Sequence, residues 1–230
     1  MKRRLAVVVA AIAPAAALLG SGPTAAGQRG FADRVTNPWF PLRPGTTLVY
    51  NGVRDGQPSR ELFTVTHLTK VIQGVRCTVV SDRLYVRGRL RERTTDWYAQ
   101  DRRGAVWYFG ERTAELDTHG RVTSREGTWQ SGVDGAKAGI YMSAHPRVGQ
   151  SLRQELYPGH ADDHFQVLSL NASVSVPYIS SRHALLTKEW TPLEPAVLDH
   201  KLYVRGVGTV KEETVKGGSE RNVLVSVRRG

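Results

Sequence analysis

From Thr46 onward, apolar and polar residues alternate with period two through most of the chain. Successive side chains of a strand point to opposite faces, so this pattern predicts strands with one buried face. The clearest run is 165–176. Leu168, Leu170, Ala172, Val174 and Val176 fall on one face, and Ser169, Asn171, Ser173 and Ser175 on the other. Further strands are predicted over 46–51, 60–71, 75–87, 91–101, 105–116, 121–130, 150–157, 183–191, 200–205, 207–215 and 221–228. Turn signals separate them at Asp55-Gly56, Gln73-Gly74, Arg102–Gly104, Thr118–Gly120, Asp134-Gly135 and Lys216–Gly218. No stretch carries a convincing 3.6-residue apolar stripe after the first residues. Helix is therefore expected only as short turns, near 158–164 or within 134–147.

Short connections between successive strands predict an all-β fold, an antiparallel meander of roughly ten or more strands. A flat open sheet of that size would leave long edges and an apolar face uncovered. Curling into a barrel or half-barrel removes both problems, and a two-sheet sandwich is the competing arrangement. The segment 36–45, with Pro38, Pro41 and Pro44 among Trp39 and Phe40, is expected to run extended and cover one end of the sheet.

The first residues read differently. Lys2, Arg3 and Arg4 precede the apolar stretch Leu5–Gly20, and small residues lead to Ala26. This predicts a secretory signal peptide over 1–26, leaving 27–230 as a single β-barrel-like domain. Ser21 stands where a lipoprotein would carry its lipidated cysteine, so the mature chain is expected to be secreted or extracytoplasmic, soluble and not lipid-anchored. No later segment is apolar enough to be a transmembrane span. Losing the three leader charges lowers the formal net charge from +11 to +8. The arginines and lysines are scattered, and neither a basic helix nor a nucleic-acid module is present, so nucleic acid is not an expected partner. An anionic cell surface fits the basic balance better. Cys77 is the only cysteine, which excludes an intramolecular disulfide. It alternates with Val75 and Val79 as a small buried apolar residue would.

The phrases Thr36–Tyr50 (TNPWFPLRPGTTLVY), Arg93–Asp101 (RTTDWYAQD), Val106–Glu111 (VWYFGE), Gly132–Met142 (GVDGAKAGIYM) and Thr187–Pro195 (TKEWTPLEP) together resemble an uncharacterised family of exported bacterial proteins. The resemblance spans nearly the whole mature chain. It implies a bacterial extracytoplasmic setting and one domain, and it transfers no activity and no site residue.

Two constellations invite chemistry. In Gly159–His164 (GHADDH), His160 and His164 stand four apart with Asp163 between them, and imidazole with carboxylate suits zinc. Four-residue spacing shares a face only on a helix. Pro158 and Gly159 leave room for one turn at most, and Ala161 stands where a zinc protease has its glutamate. His145 or His200 would have to supply a third ligand from afar. No metal is therefore expected, and no cofactor either, since no Gly-rich phosphate loop is present. No Gly-x-Ser-x-Gly elbow supports a serine triad.

The hairpin 91–116 carries more. An even loop at Arg102-Arg103 sets Tyr98 opposite Trp107, Asp96 opposite Phe109 and Glu111 opposite Thr94. Asp96, Tyr98, Trp107, Phe109 and Glu111 then share one face, with Trp97, Ala99, Val106 and Tyr108 on the other. Rings flanked by carboxylates suit a ligand wall as well as a core. The leading expectation is a non-enzymatic exported protein binding a small or amphipathic ligand in a barrel cavity. The alternatives are an extracytoplasmic hydrolase, using Asp96 and Glu111 or a metal at His160 and His164, and an envelope interaction protein without a pocket.

Overall fold

The computed structural model describes residues 30–230; the signal peptide expected over 1–26 lies outside the described residues. Five long strands come first: β1 (Thr46–Arg54), β2 (Gln57–Ile72), β3 (Val75–Val86), β4 (Arg89–Gln100) and β5 (Val106–Leu116). Short pieces come next, namely β6 (Val122–Ser124), β7 (Trp129–Gln130), β8 (Lys137–Met142), β9 (Ser151–Arg153) and β10 (Glu155–Leu156). The chain ends with β11 (His164–Ser175), β12 (Ser180–Trp190), β13 (Leu198–Val204), β14 (Gly208–Lys216) and β15 (Arg221–Arg229). The described residues contain no α-helix. Among them no helix is long and apolar enough to cross a membrane, a statement that does not bear on strands.

The hydrogen-bonded order is β10-β8-β5-β4-β3-β2-β1-β15-β14-β13-β12-β11-β9, with β6 and β7 on the flank of β5. β9 and β10 are consecutive pieces of one segment. β9 pairs with β11 through Phe165 opposite Leu152, and β10 pairs with β8 through Glu155 opposite Ala138. Residues 151–156 thus tie one end of the sheet to the other, and the antiparallel sheet is nearly closed into a barrel. Closure satisfies the edge groups that an open sheet would expose.

One end of the barrel is plugged. The segment 36–45 places Trp39, Phe40 and Leu42 in the main core beside Val65, Tyr98 and Tyr203. Its backbone is held by Gln100, whose Oε1 accepts from the N–H groups of Thr36 (2.8 Å) and Asn37 (2.7 Å). Asn37 Nδ2 donates in turn to the Gly104 and Ser143 carbonyls at 2.8 and 3.0 Å. The expected covering role of this segment arises from its rings, which need burial, and its prolines, which exclude it from the ladder. A second cluster forms where the tip of the β11–β12 hairpin reaches β15, around Ala184, Val210 and Leu224. There Tyr178 N–H donates to the Leu224 carbonyl at 3.2 Å. A third cluster lies on the outside of β3–β5: Cys77, Trp97 and Phe109 pack there with the half-buried Trp107. Phe31 meets Phe109 and Trp107 edge-on at 5.6 and 6.4 Å between ring centroids. Burial pushes the Cys77 thiol up to about 12, which leaves it a packing residue.

Several expectations are corrected. The stretch 134–147 holds strand β8, not a helical turn, and 121–130 breaks into two short strands. The β11 alternation does not keep one phase. Phe165 and Val167 are buried first, the register slips between Val167 and Ser169, and only then do Leu170, Ala172 and Val174 take the packed side. The β4–β5 hairpin differs as well. Asp101 N–H bonds to the Ala105 carbonyl at 2.9 Å, enclosing a three-residue loop of Arg102, Arg103 and Gly104. Gly104, with φ at 96°, supplies the left-handed position such loops require. An odd loop sets Tyr98 opposite Tyr108 and Ala99 opposite Trp107. A bulge at Phe109 then shifts the register again, so that Trp97 faces Gly110 and Asp96 faces Glu111.

Candidate functional site

The corrected register divides the five wall residues expected from sequence. Asp96, Tyr98 and Glu111 face the lumen of the barrel. Trp107 and Phe109 face outward into the cluster against Phe31, and Tyr108 takes their place inside. The cause is the odd loop together with the bulge, since each reverses the facing of the residues beyond it.

Charged residues reach the lumen because they share strand parity with buried apolar ones. On β2, Glu61 alternates with Phe63 and Val65; on β3, Asp82 stands between Val80 and Leu84. On β12, Glu189 comes after Leu185 and Thr187 on the same face, and on β13 Lys201 alternates with Tyr203. On β14, Glu212 sits opposite both Lys201 and Asn222. Three adjoining chambers, of about 240, 170 and 140 Å³, lie along the lumen. The largest widens toward the end opposite the plug, where the exposed Glu126 lines its rim. The middle one lies among Ser59, Glu61, Asp82, Glu92, Glu212 and Asn222. The smallest reaches the plug and is walled by Tyr50, Phe63, Tyr98, Tyr141 and Asp96.

Two sides of the wall differ in charge balance. On the β12–β14 side, Lys201 Nζ lies 2.9 Å from Glu189 Oε2 and 3.5 Å from Glu212 Oε1. Glu189 Oε1 also accepts from the hydroxyls of Thr187 and Tyr203, each at 3.0 Å. Burial alone would lower the Lys201 ammonium, but the two carboxylates outweigh it and hold it well above its ordinary value. On the β2–β5 side several carboxyls gather. Arg54 reaches Glu92 at 3.5 Å. Tyr108 OH donates to Asp96 Oδ1 at 2.7 Å and lies 3.2 Å from Glu111 Oε2. Glu61 accepts from Asn222 Nδ2 at 2.8 Å and faces Asp82 across β2 and β3. Burial, then the facing Glu212 and Glu92, push Glu61 up to about 7. Burial and Glu61 itself hold Asp82 well above the usual carboxylate range. The two titrate as a pair.

The histidines expected as metal candidates go separate ways. His160 is exposed and stacks on Tyr157 at 4.4 Å between ring centroids. His164 stacks on Trp190 at 5.5 Å, with its Nε2 2.7 Å from Asp162 Oδ1, which Arg153 also pairs at 2.9 Å. Asp163 borders the largest chamber. Among the described residues no group of three or more His, Cys, Asp or Glu side chains is placed to hold a metal ion. Glu61, Asp82, Tyr108, Glu189, Lys201 and Glu212 were not singled out from the sequence. Their one sequence signal is shared parity with apolar neighbours on an alternating strand.

No protein-family model and no curated protein matches the chain. Among solved structures it is similar to a presumed exported protein with a YmcC-like fold from Bacteroides fragilis, at 13% identity and TM-score 0.50, covering 87% of this chain and 100% of that one. It is also similar to a presumed lipoprotein from Parabacteroides distasonis, at 12% identity and TM-score 0.46, covering 86% of this chain and 99% of that one. At this identity the first likeness speaks for the fold alone.

Proposed function

We propose that the protein acts outside the cytoplasm as a non-enzymatic carrier or receptor, holding a small polar molecule in the lumen of its barrel. The observation that carries this reading is the buried carboxyl excess on the β2–β5 wall. A barrel interior serving stability alone would be apolar, because a buried polar group costs about 1–3 kcal/mol unless it is bonded, and a charge costs more. Glu61 and Asp82 are buried there among Glu92 and Glu212, where apolar residues would pack at less cost. The polar lining replaces the amphipathic side of the expectation with a polar ligand. The apolar rings of the smallest chamber remain as a platform for its non-polar part. The leader expected at the N-terminus supports the extracytoplasmic setting.

A second reading, hydrolysis by Asp96 and Glu111, draws on their direct pairing across β4 and β5. Their placement favours binding instead. Tyr108 stands between them, Asp96 opens on the smallest chamber and Glu111 on the largest. Two carboxyls that face different chambers do not flank one scissile bond. Native mass spectrometry of the mature protein purified from an exporting bacterium tests the proposal. A bound molecule, diminished in Asp96→Asn while the fold is kept, is expected. A bare mass, together with no thermal shift from any member of a polar metabolite set, would overturn it.

A further inference from the structure

Resting on that reading, we propose that the lumen selects an organic cation, a small molecule bearing an ammonium or guanidinium group that lodges among Glu61, Asp82, Glu92 and Glu212. Four observations carry it. First, two cations of the wall are engaged, Lys201 with Glu189 and Glu212, and Arg54 with Glu92, while Arg221 stands at the exposed edge of the middle chamber. The Glu61–Asp82 pair has the Asn222 amide, the Arg83 backbone N–H and the field of Lys201, and still titrates above the usual carboxylate range because it is buried among Glu92 and Glu212. Such a pair exchanges a proton for a ligand cation with little rearrangement, since both compensate the same charge.

Second, the middle chamber holds polar atoms that the protein leaves unused. Ser59 is 8% exposed, lines that chamber, and its Oγ has no hydrogen-bond partner. Asp82 Oδ1, on the same wall, is buried and equally without one. Buried polar atoms are ordinarily bonded, so two orphans facing one cavity mark where a ligand's donors belong. Both atoms accept from N–H groups.

Third, the acceptors surround the space instead of converging on a point. They come from β2, β3, β4 and β14, and no metal-holding group is formed among the described residues. A metal ion needs its oxygens at one short radius, whereas an ammonium or guanidinium spreads three to five donors over several ångströms. Fourth, the adjoining chamber offers Tyr50, Phe63, Tyr98 and Tyr141, rings suited to the alkyl body of such a molecule and to cation–π contact.

The test is calorimetric titration of the mature chain at pH 8 with putrescine and agmatine. Neutral 1,4-butanediol, succinate and calcium chloride serve as comparisons. We expect the two cations to bind and the three comparisons to bind at least tenfold more weakly. Affinity should fall at least tenfold in the double variant Glu61→Gln, Asp82→Asn, which keeps side-chain shape and removes a buried repulsion. Should that variant not fold, the parent at pH 5 replaces it, because Glu61 then holds its proton and cation affinity should drop. Tighter binding of calcium, or cation binding unchanged in the variant, overturns the inference. If neither cation binds while native mass spectrometry finds a neutral or anionic molecule in the protein, this inference falls and the carrier reading stands. If no small molecule binds at all, both fall.

Discussion

Lys201→Met removes the cation that holds the β12–β14 wall together. At an effective dielectric of about 20, unit charges 2.9 and 3.5 Å apart attract by about 6 and 5 kcal/mol, so Glu189 and Glu212 both lose a large favourable contact. Most of that attraction is offset in the parent by the cost of taking three charges out of water. Breaking a buried pair by removing one partner nets about 3–5 kcal/mol. Glu189 keeps the Thr187 and Tyr203 hydroxyls, which places the expected loss at the lower end, about 3 kcal/mol at pH 8. The same two carboxylates hold Lys201 well above its ordinary value, so its contribution persists through neutral pH and is lost only on the alkaline side. Urea unfolding at pH 8 is the assay. Adding Glu189→Gln to Lys201→Met should recover part of the loss. A loss below about 1 kcal/mol would refute the account of this wall.

Other perturbations probe the rest of the lumen and its framing. Glu61 titrates higher in the fold than its ordinary 4.5, at about 7, facing Tyr50, Asp82, Glu92, Lys201 and Glu212. Its stabilisation is complete below the lower value and lost as pH rises through the upper one, so the ligand-free parent should lose about 2–3 kcal/mol between pH 5 and 8 relative to Glu61→Gln. Calorimetric melting of both proteins across that range checks it, and parallel profiles would contradict it. Gly110→Ala should cost about 3 kcal/mol or more in chemical unfolding, because Gly110 sits at φ 131° and an added Cβ would lie 2.3 Å from the Trp129 carbonyl oxygen. Trp107→Ala should cost about 1–3 kcal/mol, less than a fully buried tryptophan, since the ring is half-buried on the outer face with its N–H on Asp101. It should leave putrescine titration unchanged, and a lost or weakened titration would place Trp107 in the ligand path after all.

The amino-acid sequence by itself determined the strand content, most strand limits, the turn positions and the plugging role of 36–45. All of these come from local alternation, proline and glycine. It also put Asp96 and Tyr98 on one face, because residues of like parity on one uninterrupted strand share it; Glu111 reaches the same wall only because the odd loop and the bulge cancel each other's reversal. Trp107 and Phe109 were misplaced because parity does not survive an odd loop or a bulge. The Arg102–Gly104 loop and the extra Phe109 each inverted it, and both depend on backbone geometry that letters alone leave open. The slip between Val167 and Ser169 in β11 has the same origin. Strand β8 was missed because Lys137–Met142 becomes a strand by pairing with β5 and β10, not by its own alternation. Only the tertiary structure decided that Glu61, Asp82, Glu92, Glu189, Lys201 and Glu212 meet. They come from six strands, and their approach is set by barrel closure through 151–156, a long-range pairing that no single segment encodes.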